Sequence, residues 1–222
     1  RSICLAVSFL FMSALAMTAQ KRIVMESSAD EFVTLWDNTT AKYSNYETKD
    51  EEDKGRKFAN TSSADLYIFK APKEKATGYG VVILPGGSYR TVGFSTMFAE
   101  WLRDNGVTAA VMKYRLPNYG HIDASFEDGA GAIKYFRDNA ERLNLDRNKI
   151  GICGSSAGGH LAAYVAAAAK GDERPDFSIL IYGAMIRSVF WAGFDATQRI
   201  VGKDITAEKV KAMDITEMVD ET

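Results

Sequence analysis

Short apolar runs alternate with longer amphipathic stretches from about residue 64 to residue 182. Apolar and polar positions alternate at residues 64–69, which is typical of a strand at the outside of a sheet. Continuous apolar runs are typical of strands that are buried on both faces. Such runs follow at residues 79–84 and 107–114, and further strands are predicted at residues 149–153 and 177–182. The pattern therefore predicts a sheet whose strands are mostly interior.

Three stretches between these strands have a helical pattern: residues 95–105, 126–143 and 157–170. In the first, Phe98, Trp101 and Leu102 are expected on one face. In the second, apolar residues recur at steps of three or four and predict a face towards the core. These residues are Ala130, Ile133, Phe136 and Ala140. The alternation of strands and helices predicts an α/β fold with a mostly parallel sheet covered on both faces.

The beginning of the chain has a different character. Residues 3–16 form an apolar run that follows Arg1 and precedes small residues, which is the layout of a secretory signal peptide. The run is too short to span a bilayer securely. We predict a signal peptide at residues 1–19, with cleavage after Ala16 or Ala19. The mature chain is expected to be secreted or periplasmic, with no stable membrane insertion after the leader is removed.

The next segment is polar, and it carries a run of charges at residues 49–54. We predict an irregular N-terminal arm at residues 20–63 on the surface of a domain formed by residues 64–222. The formal net charge of −2 provides no broad basic surface, so nucleic acid is not an expected partner. Because Cys4 lies in the predicted leader, Cys153 remains alone and no disulfide is expected.

Residues 154–158 read Gly-Ser-Ser-Ala-Gly and match the pattern G-x-S-x-G. They lie between a predicted strand and an alanine-rich helix, which is the setting of a nucleophile elbow. The small residues on either side allow a strained turn to form without clashes. We therefore predict Ser156 as the nucleophile, with its hydroxyl above the sheet. A plain glycine-rich turn is the structural alternative.

A second motif, Leu-Pro-Gly-Gly-Ser-Tyr-Arg, follows the strand predicted at residues 79–84. Acyl transfer places negative charge on the carbonyl oxygen, and accessible backbone amides can stabilise that charge. We assign the amides of Gly87, Ser88 and Ala157 to an oxyanion hole. A Gly-Gly sequence after a strand is also compatible with a simple turn.

Three segments together resemble the secreted bacterial α/β-hydrolase esterases related to acetylxylan esterases and feruloyl esterases. They are residues 84–90, 111–117 and 148–162, and the resemblance extends from about residue 66 to the C-terminus. The related hormone-sensitive-lipase branch has His-Gly-Gly-Gly as its oxyanion motif. Here Pro85 replaces the histidine and Ser88 the last glycine, and both changes keep the backbone amides.

The resemblance implies a three-layer α/β-hydrolase fold and a serine esterase. It also implies a substrate class, namely acetyl or feruloyl esters on plant cell-wall polysaccharides such as xylan. The expected partner is therefore an esterified polysaccharide or oligosaccharide. This substrate class follows from analogy alone.

The partners that a serine nucleophile needs are not evident. In this fold the order along the chain is Ser, then Asp or Glu, then His. His160 lies one helical turn after Ser156 and is expected to be a hydrogen-bonded core residue. His121 precedes the nucleophile, in a loop, where it is either an exposed residue or part of a pocket. The acid and histidine are expected beyond Thr222, so the chain is predicted to be a fragment whose fold is incomplete at the C-terminus.

Other chemistry has weaker support in the sequence. No phosphate loop, zinc cluster or calcium loop is recognisable, so neither a metal nor a cofactor is expected. Residues that leave strand ends either border a pocket or pack there: Tyr89, Arg90, Tyr114 and Arg115. Two rival functions remain: a hydrolase-fold binding module without catalysis, and a general carboxylesterase or serine peptidase.

Overall fold

The structure is a computed structural model that describes residues 28–186, residue 188 and residues 194–219. The predicted signal peptide at residues 1–19 lies outside the described residues. No helix of the described part is long and apolar enough to cross a membrane.

Strands and helices alternate through most of the described chain. The strands are β1 (Glu31–Asp37), β2 (Glu52–Asp53), β3 (Lys57–Ala59), β4 (Ser63–Phe69), β5 (Gly78–Leu84), β6 (Val92–Gly93), β7 (Thr108–Lys113), β8 (Leu145–Ser155) and β9 (Phe177–Ile181). The helices are α1 (Met97–Asp104), α2 (Ile122–Asp138), α3 (Ala157–Ala168), α4 (Phe194–Val201) and α5 (Ala207–Lys211).

A six-stranded sheet with the order β1-β4-β7-β5-β8-β9 forms the centre of the fold. The three pairings of β7 with β5, β5 with β8 and β8 with β9 are parallel. The pairings of β1 with β4 and of β4 with β7 are antiparallel. Strands β2, β3 and β6 form a small separate sheet. The carboxyl ends of β5 and β8 therefore meet at one edge, where the motifs of interest follow them.

The core lies on both faces of the sheet because successive side chains of a strand point to opposite faces. On one face, α2 and α3 pack through residues such as Ile133, Phe136 and Leu161. On the other face, α1 packs through Ala99 and Leu102. The arrangement has three layers, helix, sheet and helix, and the predicted core-facing stripe of the second helix is buried.

Three sequence-based expectations were wrong in detail. The segment predicted to be an irregular arm contains β1, which pairs with β4, so residues 64–69 form an interior strand. Strand β1 escaped detection because its side chains are only half-buried and the surrounding sequence is polar. In α1, Phe98 and Trp101 are exposed, and Leu102 and Ala99 face the core.

A buried ion pair joins β1, β7 and α2. The carboxylate of Asp128 on α2 accepts a hydrogen bond from the backbone amide of Arg115 at 2.7 Å. It also accepts hydrogen bonds from the guanidinium of Arg115, the shortest at 2.6 Å. It also accepts one from the indole of Trp36 on β1, at 2.6 Å. Both charged side chains are fully buried. Arg115 is therefore a packing residue and does not border a pocket.

We expect Asp128→Asn to destabilise the protein by about 3 kcal/mol, because it leaves the buried guanidinium of Arg115 without its main counter-charge. The matched control is Asp138→Asn on the same helix, which breaks an exposed pair with Lys134 and should change the stability by less than about 0.5 kcal/mol. Urea denaturation of both variants measures the difference. Equal midpoints would contradict a structural role for the buried pair.

Candidate active site

Ser156 lies in a sharp turn between β8 and α3. Its backbone has φ 54° and ψ −119°, a strained conformation for a residue with a side chain. The turn requires glycine on both sides, since a Cβ at Gly154 would overlap the carbonyl of Gly158, and a Cβ at Gly158 would overlap the carbonyl of Leu84. This is the geometry that the G-x-S-x-G pattern predicts for a nucleophile elbow.

Two backbone hydrogen bonds hold this turn. The amide of Ser156 donates to the carbonyl of Ile181 at 2.9 Å, and the amide of His160 donates to the carbonyl of Ser156 at 3.0 Å. Ser156 is the N-cap residue of α3, so the first amides of the helix point towards it. The positive end of the helix dipole favours negative charge at this position.

The loop after β5 lies against the turn. A Cβ at Gly86 would be 2.8 Å from the carbonyl oxygen of Ser155 and 3.1 Å from Cβ of Ser156. The next residues adopt unusual conformations, with φ 150° at Gly87, 55° at Ser88 and 56° at Tyr89. A left-handed conformation costs about 1 kcal/mol or more at a residue other than glycine. The loop must therefore be held by contacts elsewhere.

Hydrogen bonds engage the carbonyl groups of this loop. The Tyr114 hydroxyl donates to Pro85 at 2.9 Å and the Gly93 amide to Gly86 at 2.8 Å. The carbonyl of Gly87 accepts from the amides of Arg90 and Thr91, at 3.0 Å and 3.2 Å. In contrast, the amides of Gly87, Ser88 and Ala157 donate to no acceptor among the described residues. Two amides in the loop that contacts the turn and one at the start of α3 thus have no acceptor among the described residues.

The side chain of neither histidine is hydrogen-bonded to the Ser156 hydroxyl. The ring of His160 is fully buried, with Nδ1 2.8 Å from the hydroxyl of Tyr89 and Nε2 3.3 Å from the carbonyl of Met213. The prediction of a hydrogen-bonded core histidine is confirmed. His121 precedes α2, and its ring lies 4.8 Å from that of Tyr46. Within the described ranges, no side chain is hydrogen-bonded to the Ser156 hydroxyl.

Two of the acids that follow Ser156, Asp195 and Asp214, are engaged by other groups. Asp195 on α4 accepts from Arg90 at 2.5 Å and from Arg199 at 3.0 Å, and these hydrogen bonds, chiefly the one from Arg90, lower the pKa of its carboxyl. Asp214 accepts from the amide of Ser188 at 2.8 Å. Asp220 lies outside the described residues. The part of the chain that the structure describes holds no group of three potential metal ligands.

A cavity of about 450 Å³ lies beside the turn. The residues that line it include Gly86, Phe94, Phe98, Cys153 and Ser155. Ser156 is not among the lining residues. Burial raises the pKa of the Cys153 thiol to about 11, so the thiol is uncharged at neutral pH and is not a nucleophile there.

The sequence did not reveal which groups the tyrosines near the loop contact. Tyr89 and Tyr114 are fully buried and hydrogen-bond to groups of the site, whereas the Arg90 side chain is mostly exposed. These two tyrosines were expected either to border a pocket or to pack at strand ends. Both are packed in the core. Their hydroxyl partners lie far away in sequence, and no local signal could have identified them.

Comparisons with known proteins identify the family and the fold of the chain. The BD-FAE family model matches residues 65–219. The chain belongs to the BD-FAE family of α/β hydrolases. This BD-FAE chain is 34% identical to an acetylxylan esterase of Xylanibacter ruminicola over 114 residues, which are 49% of the chain and 23% of that protein. It is also 34% identical to a probable carboxylesterase of Arabidopsis thaliana, over 43% of the chain and 30% of that protein.

The BD-FAE chain thus spans less than a third of the length of either curated relative. Among solved structures, it is similar to the acetyl ester-xyloside bifunctional hydrolase of Caldicellulosiruptor lactoaceticus, with a TM-score of 0.65 and 25% identity. That match covers 89% of the chain and 72% of the other protein. The predicted α/β-hydrolase fold and the resemblance to acetylxylan esterases are therefore confirmed.

We expect Gly158→Ala to prevent folding or to lower the free energy of unfolding of the BD-FAE protein, because the new methyl group overlaps the carbonyl of Leu84. The loss should be several times the energy of placing one residue with a side chain in the left-handed conformation. The control is Gly171→Ala, where φ is 58° but nothing lies within 4 Å, so only a backbone cost of about 1 kcal/mol applies. Soluble yield and thermal unfolding compare the two. Similar melting temperatures would refute the proposed close approach at the turn.

Proposed function

We propose that the protein is a serine hydrolase of carboxylic esters that forms an acyl-enzyme on Ser156. The observation that carries the proposal is a strained serine in contact with the loop after β5. The amides of Gly87 and Ser88 in that loop, and that of Ala157 after the serine, donate to no acceptor among the described residues. Such donors stabilise the negative charge that develops on an ester carbonyl oxygen during attack. Membership of a family whose relatives include esterases supports the same reaction.

The reaction proceeds in two steps. The Ser156 oxygen attacks the ester carbonyl while its proton passes to a general base, and collapse of the tetrahedral intermediate releases the alcohol, which takes up a proton. Water then attacks the acyl-enzyme and releases the carboxylic acid. The proposal assigns no base, since His160 is occupied by Tyr89 and Met213. The chemistry itself requires neither a metal nor a cofactor.

The proposed substrate is an acetyl or feruloyl ester on plant cell-wall polysaccharide or oligosaccharide, with xylan the best supported. Two observations favour it: a relative at 34% identity is an acetylxylan esterase, and a similar structure belongs to an acetyl ester-xyloside hydrolase. We further propose that the protein acts outside the cytoplasm, on the basis of the apolar run at residues 3–16.

A fluorophosphonate probe should label the full-length protein at Ser156, because the probe forms a covalent bond only with an activated serine. We expect Ser156→Ala to abolish labelling. The control is Ser155→Ala, which removes a hydroxyl from the neighbouring residue and should leave labelling intact. In-gel fluorescence and peptide mass spectrometry provide the measurement.

Absence of labelling in the wild-type protein, or undiminished labelling of Ser156→Ala, would refute the nucleophile assignment. The first of these results would favour the rival function of a hydrolase-fold binding module without catalysis.

For the substrate class, we expect acetylated xylan or a feruloyl ester to give a kcat/KM at least about tenfold above that of a short nitrophenyl ester. Contacts with the sugar or the acyl group add transition-state binding, and 1.4 kcal/mol corresponds to a factor of ten. Release of acetate, ferulate and nitrophenol measures the three rates. Equal values would argue for a general carboxylesterase and against a cell-wall substrate.

A further inference from the structure

The Tyr89 side chain connects the two elements that build the candidate site. Its backbone belongs to the loop after β5, and its hydroxyl lies 2.8 Å from Nδ1 of His160 on α3. Both side chains are fully buried. The two rings meet edge to face, with centroids 6.0 Å apart. One hydrogen bond thus joins the loop of Gly87 and Ser88 to the helix that begins after Ser156.

The hydrogen-bond partners of the His160 imidazole indicate which ring nitrogen carries the hydrogen. A backbone carbonyl only accepts hydrogen bonds, so the contact of Nε2 with the carbonyl of Met213 places the ring hydrogen on Nε2. In the neutral ring, Nδ1 then carries the lone pair and accepts the hydroxyl proton of Tyr89. Both ring nitrogens are engaged, and the ring does not contact Ser156 through either of them. His160 is therefore placed to position other groups and not to take the proton of Ser156.

The loop conformation depends on an anchor. Ser88 and Tyr89 are both left-handed, with φ 55° and 56°, and such a pair persists only where surrounding contacts hold it. The Tyr89 ring lies in the main core cluster and provides that hold at one end of the loop. At the other end, the Tyr114 hydroxyl fixes the carbonyl of Pro85. The amides of Gly87 and Ser88 lie between these two anchors.

The helix side of the link is equally fixed. His160 lies one turn after Ser156, and its amide donates to the carbonyl of Ser156 at 3.0 Å. A displacement of Tyr89 relative to His160 therefore moves the amides of Gly87 and Ser88 relative to Ser156 and Ala157. Oxyanion stabilisation depends on donor positions to within a few tenths of an ångström.

We infer that the hydrogen bond between Tyr89 and His160 is a positioning device that sets the distance between the oxyanion loop and the nucleophile, a role that rests on the proposed acyl-enzyme function. Tyr89 and His160 are positioning residues, because neither is placed to touch the reacting atoms. Their effect falls on transition-state stabilisation, so it should appear in kcat and leave KM nearly unchanged.

The first test compares Tyr89→Phe with Tyr164→Phe in the full-length enzyme, using nitrophenyl acetate. Tyr164 lies on the same helix with its ring against Phe126, so the control removes the same hydroxyl group away from the loop. We expect Tyr89→Phe to lower kcat about 10- to 100-fold and to change KM by less than about twofold. The decrease in kcat should be smaller than the decrease that follows complete removal of one oxyanion-hole donor. Tyr164→Phe should leave both constants unchanged.

A second pair of variants separates the hydrogen bond from packing. His160→Asn keeps an acceptor oxygen near the position of Nδ1, and His160→Leu removes it. We expect His160→Asn to retain most of kcat and His160→Leu to lose as much as Tyr89→Phe. The double variant Tyr89→Phe/His160→Leu should be no slower than His160→Leu alone, because both changes break one link. All rates are divided by the fraction of protein that a fluorophosphonate labels, which corrects for unfolded material.

A readout without catalysis keeps this inference distinct from the proposed function. Crystal structures of Ser156→Ala with and without Tyr89→Phe should show Gly87 and Ser88 displaced relative to Ala157 only in the double variant. If the wild-type enzyme neither hydrolyses esters nor is labelled, the proposed function fails, and the displacement still supports the link. An unchanged kcat in Tyr89→Phe, or an unmoved loop, overturns the positioning role.

Discussion

The close approach of the turn at Ser156 to the end of β5 is the constraint on which the rest of the structure depends. Gly158 leaves no room for a Cβ beside the carbonyl of Leu84, and Gly154 leaves none beside Gly158. This contact brings α3 directly onto the sheet between β5 and β8. It also brings Gly86 against Ser155 and Ser156. The packing of α3 against the end of β5 and the assembly of the candidate site thus depend on the same close approach.

Buried polar groups hold the elements around this contact in a fixed arrangement. Arg115 and Asp128 join the end of β7 to α2, and Trp36 adds β1 to the same group. Tyr114 and Tyr89 connect the loop after β5 to the core and to α3. Each of these polar groups has a partner, which is the condition under which burial of polar atoms is tolerated. These hydrogen-bonded side chains support the strained backbone of the loop at Ser88 and Tyr89.

Several features were predictable because their signals are local. Strands β5 and β7 were evident from apolar runs, and the turn at Ser156 from glycine spacing between a strand and a helix. The core-facing stripe of α2 followed from helical periodicity and is buried. In contrast, the exposure of Phe98 and Trp101 shows where a periodicity argument fails. Apolar spacing indicates which residues share a helix face, but not whether a neighbouring element covers all of that face.

Residue order alone was enough to predict an α/β fold and to select Ser156, Gly87, Ser88 and Ala157 as the candidate chemical groups. Glycine spacing and strand-to-helix alternation are properties of neighbouring residues, so they can be recognised without coordinates. The incorporation of β1 into the sheet, the engagement of His160 by Tyr89 and the burial of Arg115 required the folded chain. Each depends on a contact between residues that are distant along the chain, and no local pattern encodes which of many compatible partners a buried polar group will meet.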